Sequence, residues 1–289
     1  MAGSAATTKE QVEKAEAFRK LHSGKILVLP NAWDVPSARV FEDSGFPAVA
    51  TSSAGVMVSL GYPDGETIGI QGYVSAVERI ASALSIPLSA DVVGGFGSTP
   101  QDAATSVERV VRAGAIGINI EDFVHDTKQL LPVPQQVAKL KALMKMKDVL
   151  KVPFLINART DALRFARGDA EAKLNEAIVR GEAYRDAGAD CVYPMGLADA
   201  SQISRFVKAV RCPVNVMVRS GLPPVGELER LGVARVSFGP SASYAAMGLL
   251  KRASKEVLDK GTFNTLVEGA ISFEELNALA ARRPRTARP

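Results

Sequence analysis

The sequence predicts an α/β fold, a (β/α)8 TIM barrel, on three observations. Eight short β-rich runs are spread along the chain. Amphipathic segments of helical period separate them. A junction of helix end, glycine and strand recurs between them. The runs are KILVLP (25–30), AVATSS (48–53), PLSADVV (87–93), GINIED (117–122), FLINART (154–160), CVYPMG (191–196), VNVMV (214–218) and RVSFG (235–239). Most are continuously apolar, as expected of parallel strands covered on both faces.

The intervening segments read as helices. TPQDAATSVERVVRAG places Val107, Val110 and Val111 at helical spacing, with Ser98 or Thr99 as cap and Pro100 in the first turn. VPQQVAKLKALMKMKDVLK carries Val137, Leu140, Leu143 and Met144 on one stripe. The junctions DSGFPAV, RAGAIGI, DAGADCV and RLGVARV place Gly45, Gly114, Gly188 and Gly232 where a helix ends on a left-handed residue. An open doubly wound sheet fits less well, because no GxGxxG or P-loop opens a helix. The expected organisation is an N-terminal helical extension (1–24), a barrel (25–262) and a C-terminal helix with a basic tail (263–289). Ser243 to Lys260 reads as the eighth barrel helix.

At 289 residues and 47% apolar composition the chain can bury a large core. No apolar run approaches the roughly 20 residues that span a bilayer, and the N-terminus lacks an apolar signal core. A soluble, cytoplasmic protein is expected. The net charge is +4. Arg282, Arg283, Arg285 and Arg288 of the tail account for it, so the body gives no reason to expect nucleic acid. Cys191 and Cys212 sit in apolar segments and read as buried free thiols. His22, in the N-terminal helix region, reads as a surface residue.

Barrel active sites lie at the C-terminal ends of the strands. Those ends here carry Asn31, Trp33 and Asp34; Ser52 and Ser53, with Asp64 beyond; Asp91; Asn119, Glu121 and Asp122; Asn157, Arg159, Thr160 and Asp161; Tyr193 and Met195; and Asn215. Several carboxylates and an arginine on one rim suit a hard divalent cation and an anionic ligand. His125, in the loop after strand four, is a candidate acid or base. A ring of structural salt bridges is the alternative reading of the same set.

Together NAWD, SS followed by GYPDGE, SADxxxGFG, GINIED, INARTD and RVSFGP resemble the isocitrate lyase/phosphoenolpyruvate mutase superfamily over about residues 15–260. The resemblance implies C–C or P–C bond chemistry beside a 2-oxo or 2-hydroxy carboxylate, with Mg²⁺ or Mn²⁺ holding an enolate. It implies Asp91 as direct metal ligand, and Asp64 and Glu121 as acids holding the metal through water. It also implies Ser52, Ser53 and Ala54 as the substrate-anion stretch and Arg159 as a substrate arginine. Trp33, Asn157 and Asn215 complete the expected binding set. The expected partners are a small carboxylate substrate and further copies of the chain, as homodimer or homotetramer, with the last barrel helix exchanged between subunits.

Two departures from the family pattern are visible. Val93 replaces the second acid of D-x-[D/E]-x-G-[Y/F]-G, so one ion-holding carboxylate is lost and an apolar group is expected to face the site. The loop after strand four, FVHDTKQLLPVP, has no cysteine, so isocitrate lyase activity proper is not expected. Thr127 and Gln129 fall near the mutases' lysine and asparagine. The sequence therefore leaves three readings: a lyase-type enzyme, a barrel repurposed for metal-independent chemistry on a less charged substrate, and a non-catalytic binding protein.

Overall fold

A computed structural model describes residues 9–282. Eight parallel strands form the barrel. Strand one is Leu27–Leu29, continued past Pro30 as Asn31–Ala32; strand two is Val49–Thr51, three Leu88–Asp91 and four Gly117–Glu121. Strand five is Leu155–Thr160, six Cys191–Pro194, seven Asn215–Met217 and eight Arg235–Ser237. Sequential neighbours pair from one to six. A bridge between Val192 and Val214 links six to seven, seven pairs with eight, and eight returns to one. The ring is therefore closed, as the alternation of short strands and helices predicts.

The register places chemistry side by side. Asp91 stands beside Asn119 and Asn119 beside Asn157, while Glu121 stands beside Arg159 and Arg159 beside Tyr193. Alternation then aims all of these inward.

The helices follow their local signals. Thr99 caps Pro100–Arg112 with a reciprocal box to Asp102, worth about 1 kcal/mol. Gly45, Gly114, Gly188 and Gly232 have φ of +89°, +109°, +101° and +85°, so each ends its helix in the left-handed region as expected. The eighth barrel helix is Ser241–Lys260 and the extra C-terminal helix is Phe273–Ala281. The expected tail lies outside the described residues except for Arg282, which pairs with Asp43 at 2.5 Å. Among the described residues no helix is long and apolar enough to cross a membrane.

The N-terminal helix, Lys9–Lys20, closes the bottom of the barrel. Its Phe18 is fully buried, and a Cβ added to Gly117 would lie 2.8 Å from the Phe18 ring. Glycine at the start of strand four is what admits the plug. Burying such a ring contributes about 2–3 kcal/mol. The same packing corrects the expectation for His22. It is buried and edge-on to Phe18, with Nδ1 2.9 Å from the Phe18 carbonyl. Burial, with Arg235 nearby, pushes its pKa down to about 4, so the ring is neutral. Cys191 and Cys212 are free, and burial pushes their thiols up to about 12 and about 11.

Candidate active site

The C-terminal end of the barrel opens into a chamber of about 210 Å³. That lies below the range of drug-sized pockets and suits a small ligand. Ser52, Ser53, Ala54, Asp64, Asp91, Arg159 and Asn215 all line it, so seven predicted site residues meet at one cavity.

Asp91 is the hub. Its Oδ2 accepts from Ser53 Oγ at 2.7 Å and Ser53 N at 3.2 Å, and its Oδ1 accepts from Asn119 Nδ2 at 2.8 Å. Asn157 Nδ2 in turn donates to Asn119 Oδ1 at 3.0 Å. This amide ladder crosses strands three, four and five, as their register requires. Ser53 Oγ also lies 3.5 Å from Asp64 Oδ1. Burial and the neighbouring Asp91 charge push the Asp64 carboxyl up. Two acids thus share one wall in mutual repulsion. Ser52 fixes the stretch beside them, because its Oγ accepts from Gly55 N and caps Ser53–Ser59.

A second cluster lies behind the wall. Glu121 Oε2 meets Arg159 Nη1 at 2.7 Å and Glu121 Oε1 meets His125 Nε2 at 2.7 Å. Arg159 is gripped from its other side by Asp161, through Nε at 2.7 Å and Nη2 at 2.9 Å. Burial pushes Glu121 up to about 7, against the pull of Arg159 and His125. The hydrogen bond to Glu121 pushes His125 up in turn. The pair therefore shares a proton that titrates near neutrality.

The sign of the resulting pH dependence is fixed. Glu121 binds its proton more tightly folded than unfolded, so its contribution is full below about 4.5 and is lost as pH rises through about 7, whereas the contribution of His125, raised from 6.5, is lost only above that value. Relative to Glu121→Gln, the wild type should lose at most about 3 kcal/mol over that window. Thermal melts of both proteins at pH 4.5 and pH 8 test this. A constant difference in Tm across the range would show that Glu121 does not hold the proton.

Several expectations need correction. Trp33 does not line the chamber; it packs against the core beside an outer groove, where its Cβ lies 2.8 Å from the position a Gly55 Cβ would take. Asp34 caps Val35–Asp43. Asn157 is fully buried beneath the chamber and positions Asn119. Glu121 does not line the chamber, and its two oxygens are engaged by Arg159 and His125. Val93 does not face the chamber either; it is buried in the loop with φ +52°. His125 lies in a separate cavity at the mouth, which it shares with Asp64. Asp122 needs no correction: it points away, as its place next to Glu121 implies, and is bound to Arg180 and Tyr184.

The loop after strand three is held by groups that motif reading passed over. Lys139 Nζ donates to Gly94 O at 2.8 Å and Gly97 O at 3.0 Å, and Glu66 Oε1 accepts from Phe96 N at 2.7 Å. Lys139 sits on the buried side of Val133–Leu150, where a charge in an otherwise apolar stripe was the available signal.

Compared with known proteins, residues 18–258 match the family model described as phosphoenolpyruvate phosphomutase. The chain belongs to that family. It is an enzyme of the superfamily that unites the isocitrate lyases with the phosphoenolpyruvate mutases. The 2-methylisocitrate lyase of Escherichia coli K12 is 29% identical, over 83% of this chain and 82% of its own. A Burkholderia cenocepacia J2315 structure, provisionally assigned as a lyase/mutase, is 36% identical with TM-score 0.88, covering 95% of this chain and 98% of that one. A structure of oxaloacetate acetylhydrolase with its product oxalate is 26% identical with TM-score 0.80, covering 92% of this chain and 93% of that one. Family membership sets aside the non-catalytic reading.

Proposed function

We propose that this phosphoenolpyruvate phosphomutase family member cleaves a C–C bond, or a P–C bond, in a small 2-oxo or 2-hydroxy carboxylate through an enolate, and that it is not an isocitrate lyase proper. The observation that carries the reading is the convergence of Asp91, Asp64 and Ser53 on one small chamber, with the proton-sharing pair Glu121–His125 behind its wall. The lyase and hydrolase relatives support the same reaction class.

A divalent cation fits the donors of the wall. Asp91, Asp64 and Ser53 present only oxygen, and a cation there offsets the burial and the neighbouring Asp91 charge that together raise Asp64. Among the described residues no three acidic, histidine or cysteine groups form a ready-made cage, so Asp91 and Asp64 would hold Mg²⁺ or Mn²⁺ with retained waters. When bound, the ion supplies charge stabilisation at an enolate oxygen. The chain's own groups do the rest. The Ser52 hydroxyl and the Ala54 N–H bind the substrate anion, the Ser53 donors being engaged by Asp91. Arg159, locked between Glu121 and Asp161, fixes one wall. His125 Nε2 and Glu121 Oε1 hold a proton at the mouth. His125 acts as acid or base there, its proton resupplied from the buried carboxyl.

A metal-independent reaction is the second reading. It is favoured by one observation: both oxygens of Asp91 already accept hydrogen bonds within the protein. Turnover of a panel of 2-oxo, 2-hydroxy and malate-type acids, with Mg²⁺ or Mn²⁺ and then with excess chelator, separates the two. Turnover lost in chelator supports the enolate lyase; turnover indifferent to chelator supports the second reading; none with any acid removes the first.

We also propose a homodimer or homotetramer. Tyr244, Met247, Leu250 and Leu258 on the eighth barrel helix, with Phe263 and Phe273 beyond it, are exposed apolar side chains of the kind a second subunit covers. Light scattering reads the assembly directly, and a monomer at micromolar concentration would exclude it.

A further inference from the structure

The turn that follows Asp91 is strained, and two charged side chains outside the chamber hold it. Val93 and Phe96 have φ of +52° and +54°, in the left-handed region that residues with a Cβ seldom adopt, and Gly95 between them has φ +106°. Such a turn persists only where its surroundings over-determine it. Lys139, 4% exposed, comes from the helix Val133–Leu150 and donates to the carbonyls of Gly94 and Gly97 at 2.8 and 3.0 Å. Glu66 comes from the loop after strand two and accepts from Phe96 N at 2.7 Å. A cation thus takes two carbonyls of the turn, and an anion takes one of its amides.

The turn is joined to the acids of the site at three points. Asp64 stands two residues before Glu66 on the same loop. Val93 O accepts from Glu121 N at 2.8 Å. The third link runs through Phe96, whose ring packs against Tyr73 with centroids 5.3 Å apart. Tyr73 Oη lies 2.9 Å from Thr51 Oγ1, and Thr51 Oγ1 accepts from the Asp91 backbone N–H at 2.9 Å. Tyr73 and Thr51 are fully buried, so a shift of the turn is passed to Asp91 through packed groups rather than absorbed. Spacing matters the more because Val93 stands in place of the second acid of the family pattern. Asp91 and Asp64 are the two acids that line the chamber.

We propose that Lys139 and Glu66 are positioning residues for the divalent cation. By clamping the turn 93–97 they fix the separation of Asp91 and Asp64, so that these two carboxylates hold the ion without the missing acid. Neither Lys139 nor Glu66 lines the chamber, so both act through the turn. The proposal rests on the reading of that wall as a cation site.

The test is Mn²⁺ binding to chelator-treated protein without substrate, read from the electron paramagnetic resonance signal of the free ion. The wild type is compared with Lys139→Met, which keeps an apolar stem, and with Glu66→Leu, at a half-buried position. Phe18→Leu, at the barrel floor, is the control for general destabilisation. Lys139→Met and Glu66→Leu should each weaken Mn²⁺ binding by about tenfold or more, as loss of groups that orient metal ligands does. Because both act on one turn, the double variant should lose less than the product of the two single losses. Phe18→Leu should lower Tm yet keep its Mn²⁺ affinity within about twofold of wild type, since distant sites act independently. Circular dichroism confirms that each variant is folded at the binding temperature; should Lys139→Met not fold, Glu66→Leu carries the test. Wild-type affinity in the folded variants of the clamp overturns the proposal, as does an equal loss in Phe18→Leu. Wild-type protein that binds no Mn²⁺ overturns the cation reading and this proposal with it, whereas unchanged binding in the variants overturns the proposal alone.

Discussion

Asp91→Asn should lower turnover by roughly 10³-fold or more while leaving the fold intact. Removing one preorganised group that stabilises developing charge costs about 10²–10³ in kcat, and loss of a metal ligand costs more. The amide is isosteric and can still accept from Asn119 Nδ2 or Ser53 Oγ, so packing is retained. What disappears is the negative charge at the centre of the wall. With it goes the smaller of the two causes that raise Asp64, so that carboxyl should fall somewhat while burial still holds it up. Steady-state kinetics over a Mg²⁺ series, with circular dichroism to confirm folding, checks this. Activity within tenfold of wild type would show that the charge of Asp91 is not part of the chemistry.

Arg180→Leu should produce the largest loss of stability. Asp122 is fully buried on the far side of strand four. Its Oδ2 accepts from Arg180 Nη1 at 3.0 Å and from Tyr184 OH at 2.6 Å, and its Oδ1 accepts from Asp161 N at 2.9 Å. Deleting the arginine leaves a buried carboxylate without its counter-charge, a change that costs about 3–5 kcal/mol. For a chain of this size that is roughly 6–20 °C in Tm. Burial already pushes the Asp122 carboxyl up, so the loss should shrink as pH falls and the acid takes a proton. Adding Asp122→Asn to Arg180→Leu should recover part of the stability for the same reason. A drop below about 1 kcal/mol would mean that Tyr184 and Asp161 suffice. The effect should also reach the chamber, since Asp122 fixes the backbone of Asp161, and Asp161 grips Arg159.

The barrel was legible in the chain because its cues are local. Eight apolar runs, helical stripes and the four junction glycines each report on a few neighbouring residues, and the glycines have the positive φ their positions demand. That Asp91, Asp64, Ser52, Ser53, Ala54, Arg159 and Asn215 line one chamber was legible because, once the fold class is known, strand ends converge on one rim. The pairing of Glu121 with Arg159 is implicit in GINIED and INARTD, and only needs the register of strands four and five to become a 2.7 Å contact.

Side-chain direction and long-range company were decided by the tertiary structure. Trp33 reads as a site residue from its nearness to strand one, but its side chain lies outward against an apolar groove. Val93 sits two residues beyond Asp91, yet the loop's left-handed turn there breaks the alternation that would have aimed it inward. His22 reads as a surface residue in a polar helix; the way that helix seats on the barrel floor buries it. Arg235 is the clearest case. In RVSFG it is one charge at the edge of an apolar run. Only closure of the ring brings its side chain to the chamber, where Nε and Nη1 have no hydrogen-bond partner among the described residues, because a side chain's company is set by everything around it and not by its neighbours in the chain.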